Sequence, residues 1–175
     1  MMKTSRAIFI FGFWCFTSIN MAQANDIYLV RHAEKLSAKD TGSDPQLTAC
    51  GQQRARYLAD YFATIPLQAI YSTDYQRTKQ TASPTANSKH LAIQLYDPRQ
   101  LTALAETLRD NDYPVLVVGH SNTTPQLVAL LQNPTASTAA ISNIDEQDFA
   151  QIYQVTIGET GISVKHSSQR FVCQQ

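Results

Sequence analysis

Val115-Leu116-Val117-Val118 runs straight into Gly119-His120-Ser121-Asn122, and Asp26-Ile27-Tyr28-Leu29-Val30 runs into Arg31-His32-Ala33-Glu34. Each is a short unbroken run of Val, Leu, Ile and Tyr, the composition of a strand buried on both faces. Strands of that kind belong to parallel sheets. A histidine just past each one stands at the carboxyl edge, where open α/β sheets build their sites.

The rest of the chain reads outward from these strands. Lys35 to Pro45 is a polar loop. Thr48 is placed to cap a helix on which Leu58, Tyr61, Phe62 and Ile65 recur at helical spacing, with Pro66 as its stop. Ala69-Ile70-Tyr71-Ser72 is a second strand. Thr73-Asp74 offers an N-cap for a helix that carries Arg77 in its first turn. Ile93-Gln94-Leu95-Tyr96 is a third strand. Asp97-Pro98 reads as a helix start, since proline suits the first helical position, and that helix runs to about Arg109. The Val115–Val118 strand follows, then a helix starting at Pro125 and running through Leu131. Gln151–Ile157 and Gly161–His166 alternate in polarity around Gly158-Glu159-Thr160-Gly161, the pattern of an antiparallel hairpin at a sheet edge. The expected fold is therefore α/β. It is a three-layer sandwich whose central sheet is mostly parallel, with helices on both faces and a C-terminal antiparallel hairpin.

With 175 residues and no internal repeat, the chain is expected to form one domain. Fourteen basic and fourteen acidic residues balance, so no charge excess points to nucleic acid or a membrane surface. Residues 1–24 read as a signal peptide. Lys3 and Arg6 form the positive end, Ala7 to Ile19 is largely apolar, and Ala22-Gln23-Ala24 is a cleavage site. The mature domain is then 25–175, exported, with no membrane span left after cleavage. Of its two cysteines, Cys50 and Cys173, an oxidising compartment allows a disulfide, but spacing alone leaves the pairing open.

The strand ends deliver Arg31 and His32, then Ser72 with Arg77 one turn on, then Asp97, then His120. All can face one crevice. Two guanidiniums offer forked hydrogen bonds that match phosphate oxygens, and a helix N-terminus beside Arg77 adds backbone donors. Gly-rich phosphate loops of the nucleotide-binding type are absent. The ligand implied is a phosphate-like dianion. A neutral imidazole beside two arginines can attack phosphorus and split one displacement into two. The leaving alcohol then needs a proton donor.

These segments resemble the histidine phosphatase superfamily, the phosphoglycerate-mutase-like family. Leu29-Val30-Arg31-His32-Ala33-Glu34 resembles its signature. Asp44-Pro45-Gln46-Leu47-Thr48-Ala49-Cys50-Gly51 resembles its "PLT-x-x-G" segment. Tyr71 to Ala82 resembles its second motif, and Val117-Val118-Gly119-His120-Ser121-Asn122 its third. Four motifs stand in the family's order, and the resemblance covers roughly Ile27 to Lys165, nearly the whole mature chain. The resemblance implies that His32 is the phosphorylated nucleophile and that Arg31, Arg77 and His120 bind the phosphoryl group. It implies supporting roles for Ser72 and Asn122, and neither metal nor organic cofactor. The expected partner is a phosphorylated substrate: a small molecule, an envelope sugar phosphate or a phosphoprotein. Periplasmic location fits the family's many exported bacterial members. The family often has Gly after the nucleophile, where this chain has Ala33.

The acid departs further from the family pattern. Many members place a Glu after the third strand, followed by an insertion over the pocket. This chain has Asp97, and Pro98 to Pro114 leaves no room for a large lid. Glu34, two residues past His32, is the rival donor. Asp97 is favoured because reach comes before pKa. A shallow site implies an accessible phosphate on a large or varied substrate.

Other readings are weaker. Two strand-end histidines with two arginines are not the pattern of core histidines, and the arginines oppose a cation on His32, Glu34 and His120. Gly119-His120-Ser121-Asn122-Thr123 is a broken nucleophile elbow with no acid–His pair following in hydrolase order. A phospho-ligand-binding module and a phosphoryl-transferring mutase remain the alternatives to a phosphatase. The oligomeric state is not legible.

Overall fold

A computed structural model describes residues 25–37, 39 and 42–174 of the chain. The expected signal peptide, 1–24, lies outside the described residues.

Six strands form one sheet: β1 (Asn25–Arg31), β2 (Ala69–Thr73), β3 (Ile93–Tyr96), β4 (Val115–Gly119), β5 (Gln151–Gly158) and β6 (Gly161–Ser168). Their spatial order is β3-β2-β4-β1-β5-β6. The first four strands are mutually parallel, and β5 runs antiparallel to β1. The hairpin is present, with β6 at the sheet's edge. Among the described residues, four α-helices accompany the sheet: α1 (Ala49–Tyr61), α2 (Gln76–Lys89), α3 (Leu101–Arg109) and α4 (Thr123–Gln132).

Both faces are covered because the inner strands β1 and β4 carry apolar side chains on both sides. Ile27 and Leu29 of β1 and Val115 and Val117 of β4 pack with Leu104 and Leu108 of α3 and Leu127 and Leu131 of α4. The alternate residues, Tyr28 and Val30 with Leu116 and Val118, pack with Leu58 of α1 and with Ala82 and Ala86 of α2. Period-two alternation thus feeds two cores, one per face. The carboxyl ends of β1, β2 and β4 are left at one edge.

Three helix starts differ from the sequence reading. Helix α3 begins at Leu101, three residues beyond Pro98. The Asp97 carboxylate instead accepts from the Arg99 N–H (2.9 Å), closing a turn before the helix. Helix α2 is capped from outside. The Asp44 carboxylate accepts from the Gln76 N–H (2.9 Å), and neither Thr73 nor Asp74 serves as the cap. Helix α4 begins at Thr123, so Pro125 lies within its first turn, where the missing N–H costs no helical hydrogen bond. Thr48 caps α1 as expected, its hydroxyl accepting from the Gly51 N–H at 3.0 Å. That helix ends at Tyr61, ahead of Pro66.

Candidate active site

The junction of β1 and β4 sets the site. The His32 N–H donates to the Gly119 carbonyl (2.9 Å), so the two strand ends turn away side by side. The Ala33 N–H donates to the Thr81 hydroxyl (2.9 Å), which itself donates to the Arg77 carbonyl (2.7 Å). One α2 threonine therefore fixes the backbone beside His32 and the turn that carries Arg77. At β4, the His120 N–H donates to the Thr123 hydroxyl (3.0 Å). A Cβ at Gly119 would lie 2.9 Å from that hydroxyl and 2.9 Å from the Tyr96 hydroxyl, so the turn needs a glycine.

Arg31, His32, Arg77, His120 and Asn122 line one cavity of about 390 Å³, which Glu146 also lines. The His32 and His120 rings stand edge-to-face, their centroids 5.6 Å apart. His32 Nδ1 lies 2.8 Å from the Ala33 carbonyl. A carbonyl only accepts, so Nδ1 carries the proton and Nε2 keeps its lone pair. Burial pushes the His32 pKa down to about 3, with Arg31, His120 and Arg77 adding to the fall. Burial likewise lowers His120 to about 4, helped by Arg77 and Arg31. Both rings are neutral at pH 7. His120 Nε2 pairs with the Thr73 hydroxyl (2.9 Å), and the Tyr75 ring meets it edge-on, centroids 5.2 Å apart.

Arg31 is only 2% exposed at its side chain. Its Nη1 donates to the carbonyls of Asp145 (2.7 Å) and Asp148 (3.3 Å), and its Nη2 to the Glu146 carboxylate (2.6 Å). Its guanidinium lies 4.5 Å from the centre of the Phe149 ring. Arg77 lies over the Tyr75 ring (4.3 Å) and pairs loosely with Asp44 (3.4 Å). The Nε–H groups of both arginines are buried with no partner among the described residues. An orphaned buried donor is costly, and two beside one cavity create demand for an acceptor there. A tetrahedral oxyanion would supply it, at a site already furnished with two fixed cations.

Three of the candidate residues sit elsewhere. Ser72 is fully buried and donates to the Thr73 carbonyl (2.9 Å). Glu34 points toward α1, where Arg54 holds its carboxylate through Nε (2.9 Å) and Nη2 (2.6 Å). Asp97 faces solvent and a neighbouring groove. Arg99 binds its carboxylate at 2.8 Å, and those hydrogen bonds pull its pKa down to about 2. None of the three lines the cavity.

Among the residues that the strand-end reading passed over, Lys35, Tyr75, Arg99, Ser121 and Glu146 line it. A signal for Glu146 was present. A hairpin strand antiparallel to β1 must begin at the edge where β1 ends, and Ile152 does pair with Val30. Residues just before β5 are thereby delivered to the site. Among the described residues, no group of three or more His, Cys, Asp or Glu side chains is arranged to hold a metal ion.

Residues 27–98 match the family described as "Histidine phosphatase superfamily (branch 1)". The "Probable phosphoglycerate mutase GpmB" of Enterobacter sp. (strain 638) is 38% identical over 98 residues, 54% of this chain but 41% of that protein. The match thus spans less than half of the relative's length. Among solved structures, the protein histidine phosphatase SixA complexed with tungstate is similar, with TM-score 0.61 at 19% identity over 82% of this chain and 96% of that one. A mycobacterial glucosyl-3-phosphoglycerate phosphatase has TM-score 0.59 at 13% identity, over 85% and 100% of the two chains. A phosphoglycerate mutase from Bacillus anthracis str. Sterne has TM-score 0.60 at 11% identity, over 85% and 94%. The chain has the histidine phosphatase fold, and its sequence matches support a place in that superfamily.

Proposed function

We propose that this protein is a phosphatase that hydrolyses phosphomonoesters through a phosphohistidine at His32. The observation that carries this reading is one cavity lined by two arginines with orphaned Nε–H donors and by His32, whose Nε2 keeps its lone pair. In the reading, Arg31, Arg77 and His120 hold the phosphoryl oxygens, and Asn122 supports them at the start of α4. Attack by Nε2 forms an N–P bond, and water later hydrolyses it. Charge on the equatorial oxygens is stabilised by donors already in place. Ser72 keeps a supporting place one step behind the cavity, through Thr73, which contacts His120. The reading needs neither metal nor cofactor.

The substrate class is a phosphomonoester whose phosphate is accessible: a small molecule, an envelope sugar phosphate or a phosphoprotein. The open cavity, which meets a second groove at Tyr75, Pro98 and Arg99, supports a substrate larger than the phosphate itself. Export to the periplasm fits the leader read from residues 1–24. The Cys50–Cys173 disulfide, with Cα atoms 5.4 Å apart, accords with an oxidising compartment. No helix among the described residues is long and apolar enough to cross a membrane.

The test is turnover of p-nitrophenyl phosphate by residues 25–175. His32→Ala is expected to reduce it to background, and a chelator to leave it unchanged. Quenching in alkaline detergent should trap base-stable, acid-labile phosphate on His32. Turnover that survives His32→Ala would sink the reading. A binding module draws support from the distance of Asp97 and Glu34 from the cavity; it predicts phosphate binding without turnover. A mutase predicts phosphoryl transfer to a second alcohol in preference to water.

A further inference from the structure

A phosphomonoester cleaved at His32 needs a proton for its leaving oxygen. Neither Asp97 nor Glu34 lines the cavity, and each is held by an arginine of its own. Among the described residues that do line it, the one carboxyl group is Glu146. Its Oε1 accepts from the Ser121 hydroxyl (2.6 Å) and its Oε2 from Arg31 Nη2 (2.6 Å). Its side chain is 69% exposed, so polar contacts rather than packing hold it in place.

We propose that Glu146 is the proton donor of this site and that its ion pair with Arg31 is a resting position. The proposal rests on the phosphohistidine reading. Arg31 Nη1 is committed to the Asp145 and Asp148 carbonyls, so the Nε–Nη2 edge is the fork left for a phosphoryl group. Glu146 occupies half of that edge. A phosphate dianion that takes the edge displaces the carboxylate from Arg31 and leaves it beside the ligand, on the Ser121 hydroxyl. The charged and titratable groups around it are Arg31 at the end of β1, His32 just past it, Tyr75 and Arg77 at the start of α2 and His120 from the β4 turn, with Lys35 and Arg99 at the rim.

In the empty site, the Ser121 hydrogen bond and the Arg31 charge hold the Glu146 carboxyl below its usual range. Losing the Arg31 contact and gaining a dianion neighbour both raise its proton affinity, so it takes a proton from solvent. His32 Nε2 then forms the N–P bond as the P–O bond to the alcohol breaks. The electron pair of that bond stays on the leaving oxygen, which takes the Glu146 proton and departs as the neutral alcohol. In the second step water attacks phosphorus. The N–P pair returns to His32, and the Glu146 carboxylate accepts the water's proton.

The leaving group supplies the test. Glycerol 2-phosphate leaves as a strongly basic alkoxide and needs the proton; p-nitrophenyl phosphate leaves as a weakly basic phenolate and needs little. Glu146→Gln keeps a hydrogen-bonding side chain of the same shape. It is expected to lower the ratio of alkyl to aryl kcat/KM by about 100-fold or more, since kcat/KM reports the step in which the leaving group departs. Glu146→Ala should lower the ratio similarly. An unchanged ratio in both variants, with the wild type active, overturns the role of Glu146 and leaves the phosphohistidine reading standing. The same selective loss in Asp97→Asn or Glu34→Gln, but not in Glu146→Gln, also overturns it. A wild type inactive on both substrates overturns the underlying reading as well.

Discussion

His32 and His120 are neutral in the folded protein, chiefly because they are buried. In the unfolded chain an imidazole takes up a proton near pH 6.5. Between that value and about 3 for His32, or about 4 for His120, the unfolded state binds more protons than the native one. Stability therefore falls as the pH is lowered through this window, and is fully kept above it. The urea midpoint is expected to drop between pH 7 and pH 4.5, with a shallower drop in His120→Asn. Inorganic phosphate should oppose the drop, since a bound dianion favours protonated rings. A midpoint that stays flat across this range would contradict the burial argument. The sequence alone points to the flanking arginines as a cause of a neutral His32. They contribute, but burial between β1, α2 and Phe149 leads, and burial is a property of the packed molecule.

The elements show why the motifs have their spacing. Helix α1 starts against the segment that follows His32. The Thr48 N–H donates to the Glu34 carbonyl (2.9 Å), and the Thr48 hydroxyl caps the Gly51 N–H (3.0 Å). A Cβ at Gly51 would overlap the Glu34 carbonyl oxygen, so the helix can dock there only on a glycine. One turn on, Arg54 closes on the Glu34 side chain. Gly51→Ala is expected to destabilise the fold by about 1–3 kcal/mol through overpacking against backbone, read as a lower denaturation midpoint. A midpoint within error of wild type would show that α1 can shift freely.

Helices and strands were legible where pattern is local. The apolar runs of β1, β2, β3 and β4 and the Thr48 cap are carried by adjacent residues. Capping of α2 by Asp44 depends on a loop 32 positions away in sequence, so no local rule reveals it. Asp97-Pro98 carried a helix-start signal, but the Asp97 carboxylate was engaged by Arg99 in a turn instead. The same limit applies to the site. Arg31, His32, Arg77 and His120 follow from strand ends and a helix start, as do Ser72 and Asp97, which do not line the cavity; Asn122 follows only from the family resemblance. Glu146 comes from the antiparallel side of the sheet, so finding it required knowing that β5 begins where β1 ends.

At the scale of the molecule, the disulfide joins Cys50 of α1 to Cys173 near the C-terminus, 123 positions apart. It anchors the tail beyond β6 on the outside of α1, where Gln53 accepts from the Gln174 N–H (3.0 Å) and Arg54 lies over the Phe171 ring (4.7 Å). A loop of that length restricts the unfolded chain strongly. Replacing both cysteines with serine is expected to cost about 2–5 kcal/mol, measured by denaturant unfolding. Turnover at low temperature should be little changed, because neither cysteine lines the cavity. Equal stability with and without the bond would show that the tail contributes nothing to the fold.

Strand β3 is the edge strand on the side opposite the hairpin. The turn that leaves it carries Pro98 and Arg99 to the rim of the cavity, while Arg31, His32, Arg77 and His120, the proposed nucleophile and phosphate ligands, come from elements nearer the sheet's centre. On the proposed function, chemistry and selectivity are thus written on different parts of the chain. The inner strands tolerate little change without loss of both cores. An edge turn can lengthen outward into solvent without breaking a strand pairing. New substrates can therefore be reached by altering one peripheral connection, with the reactive centre left as it is.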